Sequence, residues 1–194
     1  MMSYRWPIAV GLALSLVACG GDATSTTLVA QTAAVTVTGT PLAEYGQPDG
    51  SIGKVPPTLS GVSFEGDPVS IDPADGAHVI LFVAHWCSHC QNEIPVVVDW
   101  LEAGGLPADV QLTVVSTAVA PGQPNYPPSD WLSAENVTVP ILLDDEANNA
   151  AAAYGLKSFP YLVAIGASGQ VAVRAAGELP AAALDALVSN LGDS

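Results

Sequence analysis

A continuous run of apolar residues spans residues 79–84 and predicts a strand that is buried on both faces. After this run, apolar residues recur every three or four positions, among them Cys90, Ile94 and Leu101. That spacing is the period of an amphipathic helix, predicted here over residues 88–103. The buried strand should therefore pass almost directly into a helix.

Two cysteines, Cys87 and Cys90, lie where the strand gives way to the helix. Cys87 is at the predicted helix N-terminus, where unpaired backbone N–H groups and the helix dipole favour negative charge. A thiolate is stabilised at such a position, and the thiolate is the nucleophile of disulfide exchange. We therefore predict that Cys87 is exposed and attacks, while Cys90 is more buried and resolves the mixed disulfide.

Strand and helix patterns alternate along the rest of the chain. Residues 59–71 alternate in polarity around a turn at Gly66-Asp67, which predicts a β-hairpin. Residues 161–175 predict a second hairpin, and Pro180 begins a terminal helix that runs to Leu191. The other predicted elements are strands over 110–117 and 137–143, a short helix over 129–135, and a helix from Asp144 to Tyr154-Gly155.

Three consecutive acids, Asp144, Asp145 and Glu146, open the last of these helices. Carboxylates in a first turn complement the helix dipole, so capping is the preferred interpretation. A divalent-cation site is the alternative, because carboxylate oxygens are also the ligands of such ions.

The chain carries 19 acidic residues against four basic ones, which gives a net charge of −15. Nucleic acids and anionic membrane surfaces are bound through basic patches, so this charge excludes them as partners. The length of 194 residues suits one domain with extensions.

The N-terminus has the features of a targeting segment. Arg5 precedes eleven apolar residues, 8–18, which are too few to span a membrane. Leu16-Val17-Ala18-Cys19 resembles a bacterial lipobox, so we predict a signal peptide over 1–18 and lipidation of Cys19. A secretory signal with an unmodified cysteine is the alternative. Residues 19–43 are predicted to be a flexible tether, within which residues 35–38 have strand character, and 44–194 the domain.

The residues around the cysteines resemble a known family. Trp86-Cys87-Ser88-His89-Cys90 resembles the thioredoxin active-site motif. Its continuation Gln91-Asn92-Glu93-Ile94-Pro95 is similar to the C-x-x-E-x-P motif of TlpA/ResA-like redoxins, which are extracytoplasmic thiol–disulfide oxidoreductases. The resemblance runs from about Val55 to the C-terminus. It implies an α/β thioredoxin fold, in which a central mixed β-sheet is flanked by helices and preceded by an N-terminal β-hairpin.

The resemblance also implies roles for residues outside the cysteine pair. Phe159-Pro160 resembles the family's cis-proline site, which would place Phe159 against the sulfurs and leave its backbone free to pair with a substrate chain. Trp86 is expected beside the disulfide. Glu93 matches the family's glutamate and is a candidate proton relay for Cys90; the alternative is that it only caps or solvates the helix.

His89 bears on the direction of the reaction. It occupies the second position between the cysteines, as in oxidising DsbA-like sites. A partly protonated imidazole there would lower the pKa of the Cys87 thiol and make the disulfide a better oxidant. The alternative is that His89 is merely exposed. Leu81 stands where thioredoxins carry a buried aspartate, so that usual proton acceptor is missing.

The resemblance implies protein thiols and disulfides as substrates and an upstream membrane redox partner. It further implies a monomer in the bacterial extracytoplasmic space, attached to the membrane only through its lipid, with no cofactor. Relatives in cytochrome c maturation carry a glutamate-bearing segment after the cis-proline, whereas Tyr161-Leu162 stands there in this chain.

A copper(I)-binding chaperone of thioredoxin fold is the rival function. His85 and His89 together with Cys87 and Cys90 supply soft ligands of the kind that copper(I) prefers. Sco-type chaperones, however, have one more residue between their cysteines and a distant histidine that this chain lacks. A structural zinc site would need a second ligand pair, so no metal is predicted. His78 has no assigned role.

Overall fold

The computed structural model describes residues 1–2, 29–189 and 191–192. The predicted signal peptide, Cys19 and the first part of the predicted tether therefore lie mostly outside the described residues. The elements, in chain order, are β1 (Thr36–Thr38), β2 (Thr58–Val62), β3 (Pro68–Ile71), β4 (His78–Val83), α1 (Ser88–Glu102), β5 (Gln111–Ser116), α2 (Pro128–Ala134), β6 (Ile141–Leu143), α3 (Asn149–Ala153), β7 (Tyr161–Ile165), β8 (Val171–Ala176) and α4 (Ala181–Val188).

The central sheet has five strands in the order β6-β5-β4-β7-β8. Strand β4 lies in the middle, parallel to β5 and antiparallel to β7. All six residues of β4 are buried, as its uninterrupted apolar sequence predicts. The mixed sheet flanked by helices confirms the predicted α/β fold of thioredoxin type.

Two apolar cores cover the faces of this sheet. On one face, Leu81 and Val83 of β4 belong to a core with residues of α1 and α4, including Ile94 and Leu184. On the other face, alternate residues of β4 such as Phe82 belong to a second core with residues of α3 and of a smaller sheet. Because α1 is fixed to the sheet along its apolar face, its N-terminus is held at the end of the central strand.

The smaller sheet contains the predicted hairpin and one further strand. Strands β2 and β3 pair antiparallel, with Ser60 opposite Ser70, which confirms the hairpin. Strand β1 pairs with the outer edge of β2, and Leu42 is buried beyond it. Part of the segment predicted to be a tether therefore packs with the domain before residue 44. Pairing of β1 covers a strand edge that would otherwise be open, and its one apolar residue, Val37, packs on the core.

Helix α3 begins five residues later than predicted, at Asn149 rather than at Asp144. Asp144 is buried instead, and its carboxylate accepts the backbone N–H groups of Ala150 (2.9 Å) and Ala151 (3.1 Å) and the hydroxyl of Thr117 (2.7 Å). Asp144 therefore caps N–H groups in the first turn of α3, which is the interpretation preferred for the acidic run. Within the described residues, no helix has the length and apolar character needed to cross a membrane.

Candidate active site

The two cysteines occupy the turn between β4 and α1 and differ in exposure. Cys87 is the N-cap residue of α1 and is partly exposed, whereas Cys90 is completely buried. The Cys90 sulfur accepts the backbone N–H of Ala84 at 3.5 Å, and the neighbouring Cys87 thiol is one of the influences that raise the pKa of Cys90. Both thiols are free in this structure. An incoming disulfide therefore reaches Cys87 first, with Cys90 directly behind it.

Burial decides the protonation of the inner thiol. Removal from solvent raises the pKa of Cys90 well above its usual range, despite the N–H bond from Ala84. Cys90 therefore stays protonated at neutral pH until a base accepts its proton. A buried thiol of this kind is inert as a first nucleophile.

Glu93 lies one turn further along α1 and is 2% exposed. Its Oε2 atom accepts the backbone N–H of Leu179 at 2.8 Å, which ties α1 to the segment before α4. Burial raises the pKa of the Glu93 carboxyl, and its negative charge is one of the influences that raise the pKa of Cys90. A buried carboxyl does not solvate the helix surface, whereas its bond to Leu179 is a structural role of the kind that the capping alternative describes.

His89 is exposed and has an acidic partner. Its Nδ1 atom lies 2.6 Å from Oε1 of Glu178, and the same oxygen accepts the side-chain N–H of Asn92 at 3.2 Å. The hydrogen bond from His89 holds the pKa of the Glu178 carboxyl below its usual value. Glu178 was missed by the sequence analysis because it is 89 residues from its partner and belongs to no motif.

An aromatic pair stands beside the cysteines. The rings of Trp86 and Phe159 meet edge to face with centroids 5.9 Å apart. The Phe159-Pro160 peptide bond is cis, as the resemblance implied. Next to this pair, a cleft of about 500 Å³ is lined by Phe159, His89 and Glu178, among others. The structure thus brings the sequence-predicted residues Trp86, Phe159 and His89 together.

The other histidines are engaged elsewhere. Both ring nitrogens of His85 bond to one loop, Nδ1 with the carbonyl of Pro124 (2.7 Å) and Nε2 with the N–H of Ala120 (3.1 Å). They are therefore not open for a metal. His78 is buried at the far end of β4, where it bonds to Thr113 and where burial lowers its pKa to about 4.

The described part of the chain contains no cluster of three or more histidine, cysteine or acidic residues arranged to hold a metal ion. With both ring nitrogens of His85 occupied and His89 paired to Glu178, the four ligands suggested for copper(I) are not presented together. No observation favours the copper alternative.

A partly exposed cysteine at a helix tip, backed by a buried one in the first turn of the same helix next to the central strand, defines a thiol–disulfide oxidoreductase of thioredoxin fold. The comparison with known families agrees: the profile of the AhpC/TSA family matches residues 52–174, and the chain belongs to that family.

Solved structures share the fold. A thiol:disulfide interchange protein of the thioredoxin family from Chlorobium tepidum is 22% identical, with a TM-score of 0.58 over 72% of this chain and 96% of that one. StoA from Bacillus subtilis is 22% identical, with a TM-score of 0.58 over 69% and 97%. A secreted Mycobacterium tuberculosis disulfide oxidoreductase, described as homologous to Escherichia coli DsbE, is 19% identical, with a TM-score of 0.54 over 70% and 95%. No curated protein matches the chain significantly.

Proposed function

We propose that this protein exchanges disulfides with protein substrates outside the cytoplasm through its Cys87-Ser88-His89-Cys90 pair. The observation that carries the proposal is the contrast between the partly exposed Cys87 and the fully buried Cys90 one helical turn away. Purified protein should accelerate the reduction of insulin disulfides by a dithiol or the oxidation of a reduced peptide. Acceleration of neither reaction would refute the proposal.

Cys87 performs the first step as its thiolate. It attacks one sulfur of the substrate disulfide, so that a Cys87–substrate disulfide forms and the substrate's other sulfur leaves as a thiolate that takes up a proton. The N-cap position favours this nucleophile, because the helix dipole and the first-turn N–H groups, which have no partner within the helix, favour negative charge there.

Cys90 performs the second step. It loses its proton and attacks the Cys87 sulfur, which forms the Cys87–Cys90 disulfide and releases the second substrate thiolate. Two electrons have then passed from the protein to the substrate, and the reverse sequence oxidises a dithiol. The step needs a proton acceptor because burial keeps Cys90 protonated. We assign this role to Glu93, which is buried in the same helix and whose charge acts on Cys90.

Replacing Glu93 with glutamine should slow closure of the Cys87–Cys90 disulfide roughly 100-fold, the lower range for loss of a general base. The amide oxygen still accepts the N–H of Leu179, so the packing of the helix is kept. Stopped-flow release of product from the mixed disulfide measures this step across pH. The control is Glu102→Gln, which changes an exposed acid on the same helix. Equal closure rates in wild type and Glu93→Gln at every pH would exclude the relay.

Replacing His89 with proline should make the redox couple more reducing, by about 30 mV or more. Residue 89 lies in the first turn of α1, where proline is tolerated, so the change removes the imidazole with little cost to the helix. Equilibration against glutathione measures the potential, and Ser88→Ala is the control in the same turn. A potential equal to that of the wild type would show that His89 does not stabilise the Cys87 thiolate.

Phe159 and Trp86 are proposed to receive the substrate chain, because Phe159 lines the cleft and the Trp86 ring next to Cys87 packs against it. Cys19 is proposed to carry the lipid that anchors the protein to the membrane. The anchored protein is proposed to act as a monomer. A membrane redox partner is proposed to exchange electrons with it. The lipobox-like sequence supports the anchor. Incorporation of a labelled fatty acid at Cys19 tests it.

A further inference from the structure

A proline-rich loop, residues 118–127, lies against the active-site turn on the side of Trp86. The indole Nε1 of Trp86 donates to the carbonyl of Ala118 at 2.7 Å. From the other side, Oδ1 of Asn148 accepts the N–H of Ala118 at 2.9 Å. The start of the loop is therefore fixed between the residue that precedes Cys87 and the segment before α3.

The buried side chain of His85 holds the rest of this loop in place. Its ring is 1% exposed and bonds to two loop residues, Pro124 and Ala120. A carbonyl only accepts and an N–H only donates, so Nδ1 carries the proton and Nε2 is the acceptor in this neutral ring. The carbonyl of His85 in turn accepts the side-chain N–H of Gln91 at 2.9 Å. One buried side chain thus joins the loop to the turn that carries the cysteines.

The loop presents an aromatic side chain at the protein surface. The Tyr126 ring meets His85 edge to face, with centroids 5.9 Å apart, and Tyr126 is 44% exposed. Phe159 and Glu178 line the cleft described above, and Trp86 contacts both Phe159 and the start of the loop. A polypeptide that brings a disulfide to Cys87 arrives next to Trp86, which links the loop to the cleft. A small disulfide has no polypeptide chain that could contact the loop.

We propose that His85 is a positioning residue that holds loop 118–127 as a second wall of the substrate site, with Tyr126 in contact with the polypeptide around the substrate's cysteine. This inference rests on the proposed exchange with protein substrates. Exposed tyrosines contribute strongly to protein contacts because they bring a large rigid surface with a polar end. Fixing the loop in advance reduces the entropy lost when a substrate binds.

The test compares two substrates on reduced protein: insulin as the protein disulfide and glutathione disulfide as the small one. Tyr126→Ala and His85→Leu should each lower the ratio of the insulin rate constant to the glutathione rate constant roughly tenfold. His85→Gln should keep a ratio within about twofold of wild type, because an amide also offers one donor and one acceptor. Val55→Ala, at an exposed apolar residue outside the loop and the active-site turn, is the control.

An unchanged ratio in Tyr126→Ala overturns the inference, and this variant decides the matter if His85→Leu does not fold, since residue 126 is exposed. A ratio in His85→Gln as low as in His85→Leu overturns the role given to the two ring bonds. If wild-type protein reacts with neither substrate, the proposed function itself fails. If the variants react with both substrates at an unchanged ratio, the proposed function stands and only the role of loop 118–127 as a second wall is refuted.

Discussion

Replacing Cys87 with serine is expected to lower the rate of disulfide exchange roughly 10⁴-fold or more, which is the scale on which loss of a nucleophile acts. Cys87 is the sulfur that an incoming disulfide can reach, because Cys90 is fully buried behind it. A serine hydroxyl at neutral pH does not replace a thiolate in this reaction. Insulin reduction followed by turbidity, or thiol release followed by absorbance, measures the loss.

Cys90→Ser is the informative partner of this variant. It retains the attacking sulfur but lacks the one that resolves, so mixed disulfides between Cys87 and substrates should accumulate. They can be detected by mass spectrometry of the purified complex and should disappear on addition of a dithiol. Ser88→Ala, between the cysteines, should show neither effect. Trapping in Cys87→Ser instead of Cys90→Ser would reverse the assigned roles.

Replacing Asp49 with asparagine is expected to lower the free energy of unfolding by about 3–5 kcal/mol, the usual cost of breaking a buried ion pair. Arg174 on β8 has a fully buried side chain, and its Nε donates to Oδ2 of Asp49 at 2.9 Å. A second N–H of the guanidinium bonds to the other carboxylate oxygen. Without the carboxylate, the Arg174 charge stays buried and uncompensated in the folded protein. The variant is less stable because this cost is absent from the unfolded chain.

The guanidinium also holds the segment before residue 49 against the sheet. Its Nη1 donates to the carbonyl of Ala43 at 2.8 Å, and its Cζ lies 5.6 Å from the centre of the Tyr45 ring. Loss of Asp49 should therefore loosen residues 43–49 first. Hydrogen exchange would locate the change, and urea unfolding would measure its size.

An exposed ion pair provides the control for this prediction. Glu44 pairs with Lys157 at 3.1 Å, and both side chains are more than half exposed, so Glu44→Gln should cost no more than about 1 kcal/mol. The double variant Asp49→Leu with Arg174→Met should be more stable than Asp49→Asn, because it removes both charges. Equal unfolding free energies for Asp49→Asn and Glu44→Gln would contradict the importance of the buried pair.

The same pair predicts a dependence on pH. The hydrogen bond from Arg174 lowers the pKa of the Asp49 carboxyl below its usual value. The stabilisation is therefore complete above the unfolded-state pKa of about 3.9 and is lost as the pH falls through the lower pKa of the folded state. Wild-type stability should thus fall in this acidic range by more than that of Asp49→Asn.

The sequence alone was sufficient for the features that depend on local pattern. Residues 79–84 are apolar throughout and were predicted as the buried central strand, and the helix after it followed from its three-to-four spacing. The same two patterns, the apolar run and the three-to-four spacing after it, also predicted that Cys87 lies at the helix N-terminus. These features were predictable because burial of a strand or helix face imposes its repeat directly on the residues that form it.

Only the tertiary structure decided which distant residues meet at the site. Glu178 pairs with His89, and the loop that His85 holds begins more than 30 residues away, so neither contact leaves a trace in local periodicity. Residues 35–38 have strand character in the sequence, but only the tertiary structure decided that β1 covers the edge of β2. Local sequence sets the shape of each element, whereas contacts between elements depend on how all of the apolar faces are buried at once.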